Sequence, residues 1–96
     1  MLQDQDQGLE VLEGDPLEKW GEILLHASPK RSFEELERFL EWQALGTLFL
    51  EQEGLEDKFE ALLKQLRFDP NLQEKVHAKK VDLAIQSMAA VLSGHE

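Results

Sequence analysis

Between Phe33 and Leu50 the chain is apolar on two sides at once. At about 100° per residue, Phe33, Leu36, Phe39 and Leu40 fall on one stripe of a helix. Trp42, Leu45 and Phe49 fall on a second stripe, nearly opposite. A helix on the outside of a small monomer needs one apolar stripe. A helix with two lies between two layers, either inside the domain or across a subunit boundary.

The rest of the pattern supplies three more helices. Asp15 is a candidate cap, Pro16 suits the first helical position, and Glu18 stands where a capping-box acid belongs. Leu17, Trp20 and Leu24 follow at helical spacing, and Pro29 disfavours helical geometry at Ser28. Ser32 with Glu35 reads as a second capping box, so the two-faced helix is expected from Phe33 to about Gln52. Gly54 ends that helix or opens the next.

Leu55, Phe59, Leu62, Leu63 and Leu66 form a single clean stripe, with Glu56 and Asp57 in the first turn, where negative charge suits the helix dipole. Asp69 and Pro70 restart the chain as cap and first residue. Leu72 and Val76 lead a last helix whose second half carries Val81, Ala84, Ile85, Met88, Val91 and Leu92. The two parts of that stripe are rotated against each other. A bend near Ala78–Lys80, or contact with different layers along the helix, is therefore expected. Gly94 suits the stop.

No segment alternates apolar and polar residues as a half-buried strand would, and tyrosine is absent. The expectation is all-α: a compact four-helix bundle-like domain over 15–94 with short turns, preceded by a disordered, acidic N-terminal tail over 1–14.

Composition narrows the function classes. The chain has 96 residues, enough for one domain, and a formal net charge of −10. That balance opposes nucleic acid and anionic membranes, whose binding rests on phosphate neutralisation. The acids are unevenly placed. Residues 1–22 hold seven acids and one lysine, whereas 58–80 hold six Lys/Arg and three acids. Lys75, Lys79 and Lys80 form a basic strip on the last helix. Without aromatic residues between the lysines, it reads as a solvated face that the acidic end of the same chain, or of a second chain in an antiparallel dimer, partly neutralises.

Candidate chemistry is sparse. Cysteine is absent, which excludes thiolate catalysis, cysteine metal sites and disulfides. The serines show no nucleophile motif, and the glycines are scattered rather than gathered in a phosphate loop. Glu74 and His77 have the Glu-x-x-His spacing of carboxylate-bridged di-iron bundles, but only one copy is present. Glu22 and His26 lie one turn apart. Both pairs read as solvated polar faces, so neither a metal nor a cofactor is expected, nor any catalytic residue. The first residues lack the basic and apolar regions of a signal peptide, and no apolar run approaches the roughly 20 residues of a bilayer span. The expected compartment is the cytoplasm.

The tract from Phe59 to Val76, with Leu62, Leu63, Leu66, Asp69-Pro70 and Leu72-Gln73-Glu74-Lys75-Val76, resembles part of the nitrogen-fixation-associated leader-peptide family. The resemblance is short and brings no site residue with it. From the residues themselves the expected function is non-catalytic. The chain reads as a small regulatory or accessory protein that binds another protein, or itself as a homodimer, through Trp42, Leu45 and Phe49, since aromatic anchors dominate such surfaces. The alternative is an acidic inhibitor or immunity-type protein that blocks a basic surface of a toxin or nucleic-acid enzyme.

Overall fold

The computed structural model describes residues 15–93, and those residues are all-α: α1 (Pro16–His26), α2 (Pro29–Glu53), α3 (Glu56–Leu66) and α4 (Pro70–Ser93). The expected tail over 1–14 and the stop at Gly94 lie outside the described residues. The four helices are those expected from the pattern, and two of their starts are capped as expected. The Asp15 carboxylate accepts from the Leu17 amide at 3.0 Å, and Pro16 fills the first position, where a missing N–H costs nothing. At α4, the Asp69 carboxylate accepts from the Leu72 amide at 3.2 Å, again with proline next.

The start of α2 differs. It begins at Pro29, not Phe33, and its cap is Ser28, whose Oγ accepts from the Arg31 amide at 3.2 Å. The Ser32–Glu35 capping box does not form. Ser28-Pro29 offers the same cap chemistry one turn earlier, so Ser32 is already helical, and its Oγ donates to the Leu24 carbonyl at 2.6 Å. That bond ties the start of α2 back onto the last turn of α1. Glu35 is thereby released for tertiary use.

Gly54 ends α2. Its φ of 66° is left-handed. The Gly54 amide donates to the Glu51 carbonyl at 3.3 Å and the Leu55 amide to the Leu50 carbonyl at 2.9 Å, the paired 5→2 and 6→1 closure of a Schellman motif. The α3–α4 corner is held by side chains: Gln65 Nε2 donates to the Asp69 carboxylate and Gln73 Nε2 to the Leu66 carbonyl.

The helix α4 runs unbroken and touches each of the other three, so its rotated stripes are explained by different neighbours along its length. The closest packing is α1 along α4, where Ala84, Ser87 and Val91 are buried. The contacts of α2 and α3 with α4 are sparser. The principal extents are 55 × 35 × 15 Å and the Cα radius of gyration is 16.8 Å, against about 13 Å for a compact domain of 100 residues.

Candidate functional site

On α2, Trp42, Leu45 and Phe49 are 68%, 67% and 55% exposed. No described neighbour from the same chain covers them. The first stripe is little better sheltered: Phe33, Leu36 and Leu40 are all more than half exposed, as is Leu48, and only Phe39 is half-buried. The face of α2 that meets the rest of the chain lies between the two stripes and is centred on Glu35 and Phe39. Among the described residues the only buried hydrophobic side chains are Ala84 and Val91. Most of the apolar payload of this sequence thus faces outward.

What holds α2 in place is a polar knot, not an apolar one. Glu35 is 5% exposed and Ser87 is fully buried. Arg38, one turn along α2, grips the Glu35 carboxylate in a two-pronged pair, Nε to Oε1 at 3.1 Å and Nη2 to Oε2 at 2.6 Å. Such bidentate geometry is the strong form of this bond. From α4, the Ser87 hydroxyl donates to Glu35 Oε2. From α1, Trp20 Nε1 donates to Ser87 Oγ at 2.8 Å. The Trp20 ring tilts against Phe39 with centroids 6.0 Å apart, and the Arg38 guanidinium lies 5.0 Å from the Phe39 ring centre.

Three helices meet at this chain of donors and acceptors, and no buried side-chain polar atom among the described residues lacks a partner. The Arg38 pair, with the Ser87 hydrogen bond, holds the Glu35 carboxyl below the usual carboxylate range, against the opposing effect of burial. The same pairing raises the Arg38 guanidinium above its ordinary value.

This knot was not legible as such. Glu35 has a local explanation in the sequence, as a capping-box acid, and Ser87 is an ordinary helical serine. The one available signal was spacing. Glu35 and Arg38 are i,i+3 on a helix that is otherwise apolar on both flanks.

The other sequence candidates do not converge on a site. Lys75 and Lys79 are exposed on the side of α4 turned away from α1. Lys80 turns a different way and lines a mostly apolar hollow of about 340 Å³ with Trp20, Phe39 and Leu83. The Glu22 carboxylate lies 3.6 Å from Lys19 Nζ, and His26 Nδ1 is 2.8 Å from the Glu22 backbone carbonyl, so the ring faces the main chain and not the acid. No group of three or more His, Asp or Glu is placed to hold a metal ion among the described residues. None of the described helices is long and apolar enough to cross a membrane.

An all-α chain with a polar central knot and open apolar helix faces is thus the class that fold and geometry define. The chain belongs to the family described as Domain of unknown function (DUF2018), which matches residues 12–96. The tract over 59–76 that resembles a leader-peptide family falls inside this match. No curated protein matches the chain.

Proposed function

We propose that this is a small non-catalytic regulatory or accessory protein that works by protein–protein contact, and that it associates with a second copy of itself through the open faces of α2. The observation that carries the reading is the exposure of seven large apolar side chains on that one helix: Phe33, Leu36, Leu40, Trp42, Leu45, Leu48 and Phe49. Each is more than half exposed. At about 200 Å² per large side chain, the four on the second side, Trp42, Leu45, Leu48 and Phe49, leave on the order of 500 Å² of apolar surface in water. A contiguous apolar patch of that size is as large as the largest on ordinary soluble monomers, and such patches commonly mark contact surfaces.

The test is sedimentation equilibrium over a concentration series. A dimer is expected, and Trp42→Ala and Phe49→Ala should each raise its dissociation constant by about 30-fold, the size of a central aromatic anchor. Circular dichroism should show helix content retained in both. A chain that stays monomeric at its highest attainable concentration overturns self-association.

A further inference from the structure

We propose that segment 9–12 of this chain seats on the apolar hollow between α1, α2 and α4, where Leu9, Val11 and Leu12 cover it in the same molecule. The proposal does not depend on self-association. It uses the side of α2 marked by Phe39 and Gln43, and none of Trp42, Leu45 and Phe49.

Three observations carry it. The first is the hollow itself. It holds about 340 Å³, and its wall is mostly apolar, built by Leu17 and Trp20 of α1, Phe39 of α2 and Leu83 of α4, with Gln43 and Lys80 beside them. Leu83 remains 49% exposed. Trp20 is the indole that donates to Ser87, so a group seated here also shields the polar knot from water. An apolar concavity of this size between helices is the ordinary form of a seat for an apolar group.

The second observation is where the chain enters. Leu17 and Trp20 lie beside Ala84, whereas Ile23 and His26 lie beside Val91 and Leu92. Thus α1 starts at the hollow and runs away from it, parallel to α4, and the chain before Asp15 joins the fold at the hollow's rim. Leu12 is three residues from Asp15 and Leu9 is six, a reach of at most about 10 Å and about 20 Å. A tether this short gives the chain's own hollow a far higher effective concentration than a second copy's.

The third observation is chemical complementarity. Between Leu2 and Pro16 the only hydrophobic residues are Leu9, Val11 and Leu12, with Glu10 among them and Glu13 next. Lys80 is the one charged residue among the described residues that line the hollow, and it is in no ion pair with another described residue. Three apolar groups suit the wall, and two carboxylates suit its cation. The family match begins at residue 12, ahead of the first described helix, so the family's unit includes the end of this segment.

The chain has no cysteine, so a pair of introduced thiols reports contact cleanly. Leu12→Cys/Leu83→Cys, oxidised in the folded full chain, should close an intramolecular disulfide about ten-fold faster than Leu12→Cys/Glu18→Cys. Glu18 is exposed in the first turn of α1 and is within reach of the same tether, so an unseated segment would find it as readily. Closure no faster than in that control, or a disulfide that joins two chains instead, overturns the proposal. A second readout leaves the hollow untouched. Trp42→Phe makes Trp20 the sole indole. Adding Leu9→Ser/Leu12→Ser should then shift Trp20 emission to the red and raise its quenching by acrylamide, with helix content by circular dichroism retained. Trp20 emission and quenching that do not respond to these two serines overturn the proposal as well.

Discussion

The two ends of α2 are built on opposite principles. Its first half, around Glu35, Arg38 and Phe39, is fastened to α1 and α4 by a buried carboxylate, a buried serine and an indole N–H. Its second half, from Trp42 to Phe49, carries large apolar groups that stay more than half exposed. The polar half is satisfied within one molecule, whereas the apolar half is not. Directional bonds select one geometry among many. Apolar burial is non-directional and scales with area, so these groups favour any cover without selecting one geometry.

The comparison breaks most readily at Glu35. Replacing it with alanine strips Arg38 and the buried Ser87 of their acceptor. A loss of about 3 kcal/mol is expected, measured by urea unfolding at fixed protein concentration. Removing an apolar group from the other half, as in Phe49→Ala, should instead act on association and leave the stability of the dissociated chain nearly unchanged. If Glu35→Ala costs no more than an exposed substitution, the knot is not what orders the three helices.

Acid should reproduce part of this loss. The Glu35 carboxyl is held below its ordinary value of 4.5 in the fold, so the unfolded chain takes up its proton first as pH falls. Its contribution is complete above about 4.5, declines as pH drops below that value, and is gone below the folded pKa. Unfolding midpoints followed from pH 7 to pH 3 should fall in that window. In Glu35→Gln that part of the acid dependence should be absent.

The smallest effect expected is at Gly46, beside Trp42. A Cβ built there meets nothing within 4 Å. Alanine should stabilise the isolated helix by about 0.5–1 kcal/mol through propensity alone. The sign of the change in association sharpens the comparison. If dimerisation weakens while stability rises, a partner backbone approaches α2 at Gly46; if both improve, the contact lies on another side.

Much of the fold was legible in the sequence, and the reasons are local. Asp15-Pro16, Asp69-Pro70 and Gly54 fix helix ends through capping and backbone geometry that involve only a few adjacent residues. The apolar stripes at helical spacing assigned the segments between them. The start of α2 was misplaced by one turn because two cap signals compete there, and Ser28-Pro29 wins. At the candidate site, the two-sided character of α2 was visible in Trp42, Leu45 and Phe49, since periodicity reports directly which faces are apolar.

Helix type, helix number and the existence of a second apolar face were therefore determined by the sequence alone, because they depend on neighbours within about one turn. Only the tertiary structure decided that the inward side of α2 is the one bearing Glu35, at the edge of the first greasy stripe where Phe39 lies. It alone brought Ser87 and Trp20, 52 and 67 residues apart from their respective partners, into a single hydrogen-bonded chain. The physical reason is that a buried carboxylate is tolerable only where donors converge on it, and that convergence is a property of three packed helices.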